Sequence, residues 1–387
     1  MSGFRKPAHS SFREGRLSMR IGAYVHIYRT LRLTTGVGKH TINMIRGLAE
    51  AGCEVNVLTV RKDLVGGKTI GDMSCLCGMK ATPLPASRVL LEGCWLAFDR
   101  PKVDRWAPQL DWVYSPGEVY ISTGPSRFAG TIHCVNWFDP EVPWYGERET
   151  RLARIRMGPK WRGILSRSDL VLTVSEFLKR RICELFGTPA EKIEVVGNGV
   201  EAAYFDVAMT EPIRGDRPYL VVIGGLTERK GAKYILSVAR MLAARKSDLE
   251  IRLAGISEKR FLEEAGPLPN VVDLGMLGLD RLPRLVRGAV AVLFLSRYET
   301  FGIPAAEAMA AGVPAIVSNF AALPEIVGDA ALVFDPTNTD EIVACCEELA
   351  RGSSLRETYV QRGLERAKLY RWEKCVAKLV RAMEARS

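Results

Sequence analysis

The sequence predicts an α/β protein of two doubly wound, Rossmann-like domains facing each other across a cleft. Three observations predict it. From Met19 onward, short β-branched runs alternate with helix-period segments, the pattern of a parallel sheet with helical crossovers. After Tyr204 a polar, proline-bearing stretch interrupts the alternation, as an interdomain linker does. The alternation then begins afresh at Tyr219, and 387 residues suffice for two separate cores.

The first segment, residues 1–18, carries Arg5, Lys6, Arg13 and Arg16 among Ser, Gly and Pro and reads as a loose tail. It lacks the apolar stretch of a secretory signal, and no run of about eighteen apolar residues occurs anywhere, so a cytoplasmic protein without a transmembrane helix is expected. Residues 19–205 form the expected first domain, with strands in IGAYVHI, EVNVLTV, WVYS, GTIHCV, DLVLTVS and KIEVVG and a helix from about Lys39 to Ala51. Residues 206–218 are the linker. Residues 219–370 are the second domain, with strands in YLVVIGG, EIRLAG, VVDLG, AVAVLFLS and PAIVS and helices at Lys233 to Arg245, around Arg281 to Val286 and from Pro304. Residues 371–387 read as a terminal helix that can pack back on the first domain. In open sheets of this kind ligands lie at the carboxyl ends of the strands.

Composition narrows the chemistry. A hydrophobic share of 47% with 25% charged residues is that of a globular chain, not a disordered one. The nine cysteines are odd in number and form no C-x-x-C pair, and the four histidines offer Cys75 and Cys77 no partner at metal-ligand spacing. Reduced thiols and no bound metal are therefore expected. A net charge of +10 admits nucleic acid, anionic lipid or a small phosphorylated ligand. No basic helix or aromatic-basic strand of a known nucleic-acid module is present, so no nucleic-acid partner is expected. The stretch from Arg148 to Arg181 interleaves Arg and Lys with Leu152, Ile155, Ile164 and Leu165. It reads either as a solvated helix face or as a surface for weak attachment to anionic membrane.

The richest segment is SRYETFGIPAAEAMAAG, Ser296 to Gly312. Pro304 suits the first helical position, which leaves Thr300, Phe301, Gly302 and Ile303 as an entry loop at the positive end of the helix dipole, an anion site. Glu299 at the strand end and Glu307 one turn into the helix can border one pocket from different heights and accept paired hydroxyls. Taken singly, Glu307 also reads as a complement to the helix dipole and Glu299 as a solvated loop charge. Gly36 and Gly38, between strand and helix, either let a phosphate approach the backbone or simply form a tight turn. His133 ends an apolar run and by itself reads as a core histidine.

Two glutamates separated by seven residues around an F-G-hydrophobic-P turn resemble the hallmark of glycosyltransferase family four, of the GT-B fold. The likeness runs in order along the chain through TTGVGKH, TIHCVNWFDPEVP, SDLVLTVSEFLKRRICELFGTPAEKIEVVGNGV, GGLTERKG and NFAALPEIVGDAALVFDP. It implies transfer of a hexose, mannose among the candidates, from a nucleotide sugar to a glycan, lipid-linked or small-molecule acceptor, with retention of configuration. No separate cofactor is implied, and with no D-x-D pair no bridging metal is expected. Glu299 would hold donor-sugar hydroxyls, Glu307 the ribose, and the amides of residues 300–303 the sugar or diphosphate. Gly36 and Gly38 would lie against the donor, and His133 beside the transferred sugar. Cys134 stands where many members carry Asp, and Gly225 where many carry an arginine that grips the diphosphate together with a later lysine. Here Lys230 is that lysine, and Arg229 is the candidate substitute for the missing cation, with Arg29 or Arg32 as alternatives. A sugar phosphorylase or nucleotide-sugar epimerase of the same fold, or a basic nucleic-acid-binding protein, are the competing readings.

Overall fold

The computed structural model describes residues 19–25, 35–61, 64–65, 69–70, 76, 78–142, 146–213, 216–278, 280–352 and 354–387. The tail 1–18, His26, Arg29, Arg32, Cys75 and Cys77 lie outside the described residues.

The first sheet consists of β1 (Arg20–Tyr24), β2 (Glu54–Val60), β5 (Ala81–Leu84), β6 (Trp112–Ser115), β7 (Arg127–Thr131), β8 (Leu170–Thr173) and β9 (Ile193–Val195) in the order β5-β2-β1-β6-β7-β8-β9. Every pairing is parallel. A small antiparallel hairpin, β3 (Leu64–Val65) and β4 (Thr69–Ile70), stands apart from it. The second sheet, β10 (Tyr219–Ile223), β11 (Glu250–Ala254), β12 (Val271–Asp273), β13 (Ala291–Phe294), β14 (Ala315–Ser318) and β15 (Leu332–Phe334), runs β12-β11-β10-β13-β14-β15, again all parallel. Both sheets wind outward in two directions from their first strand, as doubly wound folds do. The central strands β6, β8, β10, β13 and β14 are buried along their whole length. That is why they read as continuous apolar runs rather than alternating ones.

Several boundaries move for physical reasons. The first long helix spans Gly36–Glu50, starting three residues before Lys39, because the Thr35 hydroxyl accepts the Gly38 N–H and caps it. Gly36 and Gly38 therefore lie in its first turn rather than in a loop. β7 ends at Thr131, so His133 stands beyond the strand. Residues 206–208 close a short helix, Ala202–Ala208, and the irregular linker begins after it.

The chain crosses between the domains a second time near residue 370. The helix Trp372–Glu384 then lies on the first domain, where Trp372, Cys375, Val376, Leu379 and Met383 share a core with Ile42, Ile45 and Leu48 of the helix Gly36–Glu50. The contact is close enough that a Cβ at Gly47 would run into Val376. At the crossing the Val200 N–H donates to the Tyr370 carbonyl at 2.8 Å, and the Arg371 guanidinium sits 4.1 Å from the Phe205 ring centroid. Among the described residues no helix is long and apolar enough to cross a membrane.

Because Leu379 is fully buried between the terminal helix and the first domain, Leu379→Ala should cost about 2–5 kcal/mol. A fall in the urea midpoint at unchanged slope is the expected result. Wild-type stability in this variant would show that the terminal helix contributes nothing to the first domain.

Candidate active site

Glu299 follows β13 at the carboxyl edge of the second sheet and is held from three sides. Lys230 Nζ donates to its Oε1 at 2.9 Å, Arg229 Nη1 at 2.8 Å and Ser296 Oγ at 2.9 Å. Burial by itself would raise the carboxyl, but Arg229, Lys230 and the hydroxyl of Ser296 overcome it and hold Glu299 at about 2 against an ordinary 4.5. Lys230 is lowered, first by burial, with Glu299 opposing and Arg229 adding to the fall.

The loop that supplies these cations is shaped by glycine. Gly225 has φ +74°, and a Cβ there would run into the Ile256 carbonyl oxygen. A side chain at position 225 therefore has no place in this backbone, and the loop's cations are Arg229 and Lys230. Arg229 turns toward Glu299 rather than pointing to solvent, and Lys230 Nζ lies 4.6 Å from the Phe294 ring centroid.

The helix carrying Glu307 spans Ile303–Ala310, so Pro304 is its second residue and Ile303 its first. Gly302 caps it at φ +97°, pressed so closely on Leu323 that any side chain would collide. Thr300 faces the first domain, its carbonyl accepting from Ser175 Oγ at 2.6 Å. Phe301 is buried edge-on against Tyr370, so only its backbone borders the loop. Glu307 is 2% exposed and accepts from Lys39 Nζ of the first domain at 2.6 Å. It also pairs with the Tyr204 hydroxyl, which burial and then Glu307 push far up.

Across the cleft, Gly36 faces Ile303, whose Cδ1 would be 3.2 Å from a Cβ on the glycine. The Gly38 N–H is taken by the Thr35 hydroxyl at 3.1 Å. His133 is buried, its Nε2 donating to the Pro116 carbonyl at 2.7 Å and its ring edge-on to His40 at 4.7 Å. Burial lowers His133, with Glu118 and Pro116 opposing, and lowers His40 further, through burial and then His133. Neither ring touches the two glutamates, but Cys134 lies within electrostatic reach of Arg229 and Tyr298. A carboxylate does lie beside His133: Glu118, held at φ +62°, accepts the His133 backbone N–H on Oε1 at 2.8 Å.

Two family models match this chain, "Glycosyltransferase Family 4" over residues 34–204 and "Glycosyl transferases group 1" over residues 209–366. An uncharacterized glycosyltransferase of Methanocaldococcus jannaschii is 30% identical over 76% of this chain and 80% of its own length. The chain belongs to the family four, group 1 glycosyltransferases. The O-antigen chain mannosyltransferase B of Escherichia coli is 28% identical over 90% of this chain and 95% of its own. A solved sucrose-phosphate synthase from Thermosynechococcus elongatus covers 95% of this chain, and the whole of its own, at a TM-score of 0.72 and 17% identity, a likeness of GT-B fold.

In this glycosyltransferase the structure gathers Glu299, Lys230, Arg229 and residues 300–303 at one edge and brings Gly36 against it, with Glu307 one turn deeper. Four residues beside these escaped the sequence reading: Lys39, Ser296, Glu118 and Tyr204. Ser296 stands three residues before Glu299, and Lys39 directly after the G-x-G; a cation there on the first turn of a helix was the available signal.

Glu299 has its lowered carboxyl only in the folded chain. Its ionised form thus contributes stability above about pH 4.5, lost as the pH falls toward 2. Glu299→Gln, which leaves the buried Lys230 without its carboxylate, should cost roughly 3–5 kcal/mol at pH 7, and the gap from wild type should narrow between pH 5 and pH 2. Urea unfolding across that range checks it; a pH-independent gap would contradict the charge assignment.

Proposed function

We propose that this glycosyltransferase moves a hexose, mannose in the first instance, from a nucleoside-diphosphate sugar to a glycan or lipid-linked acceptor, with retention of configuration and without a bridging metal. The observation that carries the reading is the convergence of Lys230 and Arg229 on Glu299 beside the entry loop of the Glu307 helix. Two cations and a helix amino terminus at one strand edge suit a diphosphate, and the two carboxylates suit hydroxyls on either side of it. Mannose follows the likeness to the mannosyltransferase of Escherichia coli. Metal independence follows from the family resemblance and the missing D-x-D pair, with Lys230 and Arg229 as the cations that would take the metal's place.

In the transfer, the acceptor oxygen bonds to the anomeric carbon as the bond from that carbon to the leaving phosphate oxygen breaks. The electron pair of the broken bond stays on the diphosphate, which takes the acceptor proton on the same face. Lys230 and Arg229 meet the charge that grows there, where closure of the cleft excludes water. His133, its Nε2–H already donated to Pro116, borders the sugar as a neutral imidazole.

An assay of hexose transfer from GDP-, UDP- and ADP-sugars in EDTA tests the whole reading. Lys230→Ala should lose roughly 2–4 kcal/mol of transition-state stabilisation, a fall of about thirty-fold to a thousand-fold in rate. Glu307→Ala should weaken nucleotide binding, whereas Glu299→Gln should mainly lower turnover. Activity restored only by magnesium or manganese, or near-normal turnover in Lys230→Ala, would refute the mechanism.

The acceptor end of the reading rests on the helix Glu147–Arg167. Of the apolar residues between Arg148 and Arg181, Ile164 and Leu165 are buried in the core, and Arg181 is engaged by Asp139 and Glu184. Among the exposed residues of the helix, Arg148, Arg151, Leu152, Ile155 and Arg156 share one face at i, i+3 and i+4 spacing, while Glu147, Glu149, Arg154 and Arg162 are exposed around it. Leu152 is 59% exposed and Ile155 65%. Apolar side chains ringed by arginines on one face suit an anionic lipid surface. Vesicles containing an acidic phospholipid should retain the protein at low salt and neutral vesicles should not, and Arg148→Glu with Arg151→Glu should abolish the difference. Equal recovery on both vesicles would count against a membrane-borne acceptor.

A further inference from the structure

Lys39 is a buried cation of the first domain that the transfer mechanism above does not use. It sits on the first turn of the helix Gly36–Glu50, 13% exposed, and donates across the cleft to Glu307 at 2.6 Å. Burial acts to lower it, yet Glu307, with Glu201 further off, leaves it raised. Its own carbonyl is held by Asn43 Nδ2 at 2.9 Å, and the same amide reaches Glu201 at 2.9 Å, so the backbone behind the lysine is fixed.

We propose that Lys39 is the first domain's contact with the donor diphosphate, held on Glu307 while the cleft is empty and passed to phosphate when the ribose takes that carboxylate. The inference rests on the donor reading of Glu307 and goes beyond it in placing a third cation, from the opposite domain. Three observations carry it. The first turn that bears Lys39 contains no acidic residue, so the helix dipole adds positive potential where the ammonium lies. A Cβ on Gly36 of the same turn would come within 3.2 Å of Ile303 Cδ1 at the entry loop, so the turn that bears the lysine faces that loop. Glu307 acts electrostatically on Lys230 as well as on Lys39, which sets the three charges within one field.

The chemistry follows from competition. A ribose that places hydroxyls on Glu307 supplies neutral donors where an ammonium stood, and its 5′ carbon carries the phosphates only a few bonds away. A multiply charged phosphate then offers the displaced ammonium a stronger partner than a shared carboxylate. Lys39 thus spans the closed cleft before and after the donor arrives and changes its partner from carboxylate to phosphate.

The test separates charge recognition from support of Glu307. Calorimetric titration of the wild-type chain with GDP, UDP and ADP identifies the base, and the matching nucleoside, without phosphate, is the second probe. Lys39→Met should bind the diphosphate at least ten-fold more weakly while its nucleoside affinity stays within two-fold or rises, because the competitor for Glu307 is gone. Lys39→Arg should keep diphosphate affinity within about three-fold, and Lys39→Gln, which removes the charge but keeps a polar chain, should behave as Lys39→Met does. The salt dependence of diphosphate binding should also become shallower in both neutral variants. Equal losses for nucleoside and diphosphate would overturn the proposal and make Lys39 a prop for Glu307 alone, as would no loss of either. A wild-type chain that binds none of the three diphosphates would overturn the donor reading and this one together.

Discussion

A carboxylate carried out of water must be given a cation, and that requirement organises the cleft. Glu299 and Glu307 are both nearly buried, and each is neutralised differently. Glu299 is answered within its own domain, by Lys230 and Arg229 of the loop after β10. Glu307 is answered from the other domain, by Lys39. Much of the surrounding detail serves these two pairs. The glycine-bent loop after β10 exists where it does so that two cations can reach one oxygen, and the capped first turn of the helix Gly36–Glu50 holds the third cation opposite. Separation of the domains strands the second pair but not the first.

Further bonds across the cleft respect the same division. The Tyr298 hydroxyl donates to Asp139 at 2.8 Å, and Glu325 accepts the Glu176 and Phe177 N–H groups at 2.8 and 2.7 Å. Asp139 is itself engaged by Arg181. These contacts lie around the site rather than in it, and they align the helix Glu176–Phe186 and the loop after β7 with the edge that carries Glu299. Once the cleft is shut, the reacting region is ringed by neutralised pairs, a low-dielectric surround in which the remaining cations act strongly.

Much of this was legible in the chain itself, where the signal is local. EVNVLTV reads as a strand because its β-branched residues repeat at the sheet period, and it is β2 to the residue. The glutamate pair was legible because its spacing fixes a strand end and a helix turn. What depends on distant partners was not. Lys39 meets a carboxylate 268 residues away, and no periodicity reports such a contact. The cap from Thr35 moved a helix start that apolar spacing alone placed at Lys39. Pro304 fits either of the first two helical positions, since neither needs its N–H, so only the left-handed Gly302 decides between them. Ile164 and Leu165 looked like neighbours of Leu152 and Ile155 in sequence, yet a helix of that length turns them to the opposite side, into the core.

The two chain crossings between the domains lie side by side, joined where Val200 meets Tyr370 and Arg371 covers Phe205. A single tether would let one domain swivel freely against the other. Two adjacent tethers act as the paired pins of a door and leave essentially one angle of swing. Every closing stroke therefore traces the same arc and returns the same residues to the same partners, so that an ammonium on one leaf can meet a single carboxylate on the other without a search.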